Sequence, residues 1–394
     1  MSPALSEAAQ RARSALERLF RAASREQAGV SSRGPAITAG SLASYRALPR
    51  LKDKEEFEAV LLHAQAQGAV AIVRERREPN GLIERVDLVD IDRLAQVLGQ
   101  RTPAAVLEEA RHVLAPWLQQ EPALCEVLER WALLKNVRAS GPEQAQDWAD
   151  ACSVLEYCRA QLDEGLQDIP VRDASARLFK NSKRIEALTP HLDVLLTQSV
   201  SSPPRPQEAV LQEIGLFREP QPARLSGLLT VQRERGAFPL DRPYCALPPS
   251  TVLGMQSTPS RVLTIENLTT FHVQARALCD SDVLCIYTAG MPSPAWVEMY
   301  RRLLASVPAH VPVQHWGDVD EGGFRIAAFL ARVVLSMGRT LTPHRMSPSD
   351  IAPEQARPAE GATLSRMVQF AQAAGWEELA ARIQAAGILA EQEG

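Results

Sequence analysis

The chain has 394 residues, 45% of them hydrophobic, and its 43 Lys and Arg stand against 47 Asp and Glu for a net charge of −4. That length exceeds one ordinary domain and predicts two or three. The charge balance excludes a uniformly basic nucleic-acid coat, so any polynucleotide contact must concentrate its cations locally.

The first helix is predicted from Pro3 to Ser24, with Ala8, Ala12, Ala15, Leu16, Leu19 and Phe20 on one face and arginines on the other. A Ser-, Gly- and Pro-rich stretch from Ser31 to Ser41 breaks it. Asp53 followed by Glu56 predicts a capped helix through Gln67, closed by Gly68. Apolar runs from Ala69 to Glu75 and from Leu82 to Val89 flank the turn signal Pro79-Asn80-Gly81. Helix followed by hairpin predicts a winged helix. Its cations Arg74, Arg76, Arg77 and Arg85 alternate with Glu75, Glu78, Glu84 and Asp87, which favours a solvated or protein-contact surface over a phosphate track. Residues 103–165 carry helical spacing throughout, with Pro103 and Pro142 as starters. Residues 1–170 are therefore expected to form an α-rich arm with a winged-helix element.

A polar connector from Asp168 to Ala176 leads into a helix expected from about Ser175. Leu178, Ile185, Leu188 and Leu192 would face inward, and Lys180, Lys183 and Arg184 would share the outer turn. After the stiff loop Ser201 to Pro206, strands are expected over Leu225 to Val231 and Ala237 to Leu240. From Arg261 to Leu335 short apolar runs alternate with helical spacings as strand, helix, strand, helix, strand, helix. That rhythm marks βαβ units and a parallel sheet, hence an α/β class for this part of the chain. Arg339 to Met346 adds a last strand, with His344 and Arg345 near the side expected to face DNA, and residues 362–389 carry helical spacing that reads as packing or dimer contact.

Acids close two of these strands: Glu266 with Asn267 after the first, and Asp318 with Asp320 after the third. Strand C-termini share one edge of an open parallel sheet, where ligands bind. If the two strands are neighbours, about 4.8 Å apart, three carboxylates converge. Their repulsion is relieved by a divalent cation, and all-oxygen ligands select Mg²⁺ or Mn²⁺ over zinc. Gly322 and Gly323 let backbone approach closely at the start of the next helix. The alternative is that Asp320 merely caps that helix.

Val262 to Asn267, followed by His315-Trp316-Gly317-Asp318-Val319-Asp320-Glu321-Gly322-Gly323-Phe324-Arg325-Ile326, resembles the Toprim signature of topoisomerases, primases and OLD-type nucleases. More narrowly the chain resembles the D subunits (JetD, MksG or EptD) of Wadjet bacterial plasmid-defence systems, and Leu178 to Glu186 is similar to a second motif of that family. The resemblance covers roughly residues 172–340. It implies a CAP-like winged-helix DNA-binding domain over 171–248 and a Toprim catalytic domain with C-terminal helices over 249–394. It also implies a metal-dependent endonuclease acting on closed-circular plasmid DNA. Glu266, Asp318 and Asp320 would hold the metal and catalyse, while Asn267, Gly322 and Gly323 would position phosphate. Lys180, Lys183, Arg184 and Arg325 would contact DNA. The implied partners are a second copy of the chain and an SMC-kleisin-KITE motor of the JetABC kind, in a cytoplasmic, nucleoid-associated setting.

Related topoisomerase A subunits carry a nucleophilic tyrosine in the winged helix, and none of the five tyrosines here falls between residues 158 and 243. Hydrolysis by metal-activated water remains. A covalent topoisomerase-like protein, a phosphoacceptor receiver and a non-catalytic DNA-binding scaffold are the rival classes. The six cysteines lack any CxxC and read as buried thiols of a reducing cytosol, while the seven histidines form no metal set. No apolar run approaches the roughly 18 residues of a membrane span and no signal pattern opens the chain, so a soluble, intracellular protein without membrane contact is expected. No phosphate-binding Gly-rich loop is present, so any ATP use belongs to a partner.

Overall fold

The computed structural model describes residues 6–390 other than 33, 76–80, 167, 353 and 360. Its chain separates into residues 1–152 with 190–203, and residues 153–189 with 204–394.

In the first unit Ser6 caps the helix Glu7–Gln27, its hydroxyl accepting the Ala9 amide at 3.3 Å. The apolar stripe of that helix is buried as its spacing predicts, against Tyr45, Phe57, Leu61, Ile83 and Leu94. The expected start at Pro3 lies outside the described residues. The next helix, Leu51–Ala66, begins ahead of Asp53, which sits in its first turn and is not its cap. Strands Val70–Arg74 and Ile83–Leu88 form the expected antiparallel pair, and Ala36–Ile37 adds a third strand. Pro79, Asn80, Arg76, Arg77 and Glu78 of the predicted turn lie outside the described residues. The hairpin cations that are described are taken by acids, Arg74 by Glu58 at 2.6 Å and Arg85 by Asp87 at 2.8 Å. Helices Pro103–Leu114, Ala123–Ala132 and Ala145–Asp163 fill the stretch with helical spacing, and Pro103 opens the first of them behind its Thr102 cap.

The second unit is built on a six-stranded sheet. Its strands are β1 (Ala223–Ser226), β2 (Cys245–Leu247), β3 (Arg261–Ile265), β4 (Val283–Tyr287), β5 (Val313–Trp316) and β6 (Leu341–Pro343). The spatial order is β6-β5-β3-β4-β1-β2, and the first four of these run parallel. Helices α1 (Leu268–Leu278), α2 (Pro294–Ser306) and α3 (Glu321–Ser336) alternate with the parallel strands as the pattern predicts. Leu263, Ile265, Leu284, Ile286, Tyr300, Leu303, Phe324 and Leu330 are fully buried between them. Each such side chain stabilises the fold by roughly 1.5–3 kcal/mol.

The four parallel strands are as expected, but the sheet is mixed because β1, which falls on a strand expected in the winged helix, joins it together with β2. β1 pairs antiparallel with β4, and β2 pairs antiparallel with β1. The single strand expected over Leu225 to Val231 is split at Gly227, at φ +137°, where any side chain would collide with the Val283 carbonyl. Beyond that break, Thr230–Arg233 joins Gly236–Pro239 and Val252–Met255 in a separate three-stranded sheet.

The helix expected through Lys180 and Arg184 is also two elements. Val171–Phe179 ends with Lys180 in the left-handed conformation, and Arg184–Ala187 starts anew. Local side-chain bonds compete with the helix here. Asn181 Oδ1 accepts the Lys183 amide at 3.0 Å, while Ser175 Oγ donates to the Asn181 carbonyl and accepts the Ile185 amide at 3.1 Å.

Helices Gly361–Ala373 and Glu377–Ala386 follow β6, and Ala390 then pairs with Val319 through two backbone bonds of 2.9 Å. All six cysteines are free; Cys152, Cys158 and Cys285 are buried, and Cys125 is exposed. Among the described residues no helix is long and apolar enough to cross a membrane.

Candidate functional site

Parallel pairing of β3 with β5 sets Ile265 beside Trp316, so the two chains leave the sheet together. The Glu266 amide donates to the Trp316 carbonyl at 3.0 Å, and the Asp318 amide donates to Glu266 Oε2 at 3.1 Å. The first acid of one strand end is thereby tied to the backbone of the other. Gly317 makes this possible, because a Cβ there would lie 2.8 Å from Glu266 Oε2 and 2.9 Å from His315 Nε2.

β5 stops at Trp316, so Asp318 and Asp320 do not continue an extended strand, contrary to expectation. Asp320 instead caps α3, its Oδ1 accepting the Gly323 amide at 2.7 Å. The N-cap reading of this residue is correct, and it still brings the carboxylate to the edge, since Asp320 and Asp318 both act on Glu266. Gly323 is buried where a Cβ would overlap the Asp318 carbonyl and lie 2.8 Å from its nitrogen. Gly322 is exposed.

Burial, then the charges of Asp318 and Asp320, push the Glu266 carboxyl up to about 8, against the Asp318 amide and Arg325, which pull it down. The folded chain therefore holds this proton more tightly than an unfolded chain does. Stability should fall as pH rises from about 4.5 through about 8, and Glu266→Gln should flatten that fall and be the more stable form above it. Urea midpoints measured across the range check this; parallel profiles for the two proteins would refute it.

The other residues singled out in the sequence are distributed as follows. Asn267 caps α1, with Oδ1 accepting the Thr269 and Thr270 amides at 2.9 and 3.1 Å. Arg325 is largely buried and pairs with Glu213 Oε1 at 3.2 Å, while Glu213 Oε2 takes Arg205 at 2.5 Å. Lys180 and Lys183 are exposed and Arg184 is half-buried, on the turn between the two short helices. His315 is a core residue. The Thr264 hydroxyl lies 3.1 Å from the Gln314 carbonyl and shares a 2.9 Å hydrogen bond with His315 Nδ1. Burial lowers the imidazole to about 3, which keeps the ring neutral.

Glu213 had no sequence signal, since its partner Arg325 lies 112 residues away in the chain. Gly317 had one: a glycine between a strand end and an acid.

These carboxylates suit a hard divalent cation in donor type. Among the described residues no three His, Cys, Asp or Glu side chains are already gathered as a cage, so convergence on one ion requires side-chain rotation. Glu266 and Asp320 each have a second carboxylate oxygen outside the amide bonds described above.

The family model described as "Wadjet protein JetD, C-terminal" matches residues 226–393, which include every strand of the parallel core and all the acids. A protein of Bacillus cereus (strain Q1) named "Wadjet protein JetD" is 28% identical over 184 residues, 44% of this chain and 44% of that one. The matched part therefore spans less than half of the length of that relative.

Proposed function

We propose that this chain, whose residues 226–393 match the C-terminal model of the Wadjet protein JetD family, is a divalent-metal-dependent DNA endonuclease of a Wadjet-type anti-plasmid system. It hydrolyses phosphodiesters of closed-circular DNA brought to it by an SMC-kleisin-KITE motor, and it works as a homodimer so that each strand meets one site. The observation that carries this reading is the meeting of Glu266 with Asp318 across adjacent parallel strand ends, with the Glu266 carboxyl driven up by burial and then by its acidic neighbours.

Glu266, Asp318 and Asp320 would hold Mg²⁺ or Mn²⁺, which would supply Lewis acidity to the phosphodiester and activate the attacking water. Glu266, linked by its Oε2 to the Asp318 amide, is aimed by backbone and takes a proton from the attacking water when not itself a ligand. Asp320 and Gly323 fix the start of α3, and Asn267 fixes the start of α1, so the helix N-termini flank the acids. Arg325 stands behind them, anchored by Glu213, and favours the charged form of Glu266. Lys180, Lys183 and Arg184 grip the DNA backbone without reading sequence.

A hydrolytic route is favoured over a covalent tyrosyl one by Tyr287, the tyrosine at this edge. Burial and then Glu266 raise its phenol, against the opposing charge of Arg224, whose guanidinium lies 5.2 Å over its ring. The test is incubation of supercoiled plasmid with the full chain and its motor subunits in Mn²⁺. Nicked and linear products that vanish with chelator are expected, without protein–DNA adducts on denaturation; intact plasmid under these conditions would overturn the proposal.

A further inference from the structure

We propose that Arg345 anchors a DNA phosphate at the acidic site, holding the strand by its backbone at the open end of β6. The inference rests on the nuclease reading above and adds to it a binding residue on a different strand. Arg345 follows β6, whose parallel pairing with β5 sets Pro343 beside His315 and brings its end to the edge that carries Glu266 and Asp318.

At that place the backbone is strained. Arg345 has φ +50°, a left-handed conformation that side chains other than Asn or Asp seldom adopt. Such strain persists where the surroundings over-determine it, and it clusters at ligand sites. The surroundings here do so. The guanidinium carbon lies 5.2 Å over the Trp316 ring, and the His344 ring meets Trp316 edge-on at 5.1 Å. The His344 amide is bound to the His315 carbonyl at 2.7 Å, and Met346 on the other side is buried.

The anchor of this stack belongs to the acids' own frame. Trp316 is the residue whose carbonyl receives the Glu266 amide, so the guanidinium is positioned relative to Glu266 through one side chain and one backbone bond. A guanidinium over an aromatic face keeps its in-plane N–H donors for a second partner, and the paired oxygens of a phosphodiester match that fork. Arg345 is exposed, and among the described residues no carboxylate forms an ion pair with it. Arg325, the other cation of this edge, is largely buried and held by Glu213. The division of labour is that Arg325 serves the acids and Arg345 faces the substrate.

The test uses the full chain carrying E266Q, which binds without cutting, and short fluorescent duplexes of unrelated sequence titrated at several salt concentrations in Mg²⁺. Adding Arg345→Gln should weaken binding about tenfold or more for every sequence and reduce the slope of log affinity against log salt by about one. Arg345→Gly should weaken binding equally while leaving the melting temperature unchanged or raised, because it releases the left-handed strain. Unaltered affinity and slope in both variants would overturn this inference and leave the nuclease reading standing. A lowered melting temperature for Arg345→Gly with unaltered binding would make the residue structural. Failure of the E266Q parent to bind any duplex would overturn both.

Discussion

Glu266→Ala is expected to cut metal-dependent plasmid cleavage by roughly a hundred- to ten-thousand-fold, the range for losing a general base or an equivalent acidic group. Asp318→Ala should do the same. The folded state should survive both changes. The alanine at 266 leaves the Asp318 amide without its carboxylate acceptor, which costs about 1–3 kcal/mol. It also removes a carboxyl whose charge is opposed by burial and two acidic neighbours, and that relief offsets part of the cost. Cleavage rates set beside thermal melts separate the two effects. Wild-type cleavage by Glu266→Ala, with its melt unchanged, would leave the acidic edge without a catalytic role.

Gly323→Ala should damage stability and cleavage together. The new methyl would overlap the carbonyl oxygen of Asp318 and lie 2.8 Å from its nitrogen, and both are backbone atoms that no rotamer change can move. Overpacking of this kind costs about 1–3 kcal/mol. It also displaces the residue whose amide aims Glu266. Gly322→Ala is the matched control, since a Cβ there meets the Asp320 carboxyl group, no closer than 3.3 Å, and the position is exposed. It should be near neutral, with alanine's better helix propensity helping by up to about 1 kcal/mol. Equal behaviour of the two alanine variants in melts and cleavage would mean that the close approach of α3 to Asp318 does not matter.

The parallel core was legible because β3, β4 and β5 are short β-branched or aromatic-containing runs ending at polar residues, and local pattern suffices to find them. β1 was misassigned for a reason that pattern does not carry. Ala223–Ser226 and Thr230–Arg233 have similar composition, and only pairing with Val283–Tyr287, far along the chain, assigns the first to the central sheet. The break at Lys180 was hidden too, since it depends on Ser175 and Asn181 bonding to the backbone and not on apolar spacing. In the site itself, the acids announced themselves by position at strand ends. Whether Asp320 would continue a strand or cap a helix turned on where β5 stops, a tertiary outcome. The partner of Arg325 turned on the placement of Glu213, which sequence neighbourhood does not reveal.

Val319, the residue between the two aspartates, exchanges both of its backbone bonds with Ala390, some seventy positions downstream. During synthesis the ribosome must therefore have added residue 390 before that loop acquires its hydrogen-bonded brace. A nascent chain or a truncated product ending earlier would carry Glu266, Asp318 and Asp320 and lack the bonds that brace the loop between the two aspartates.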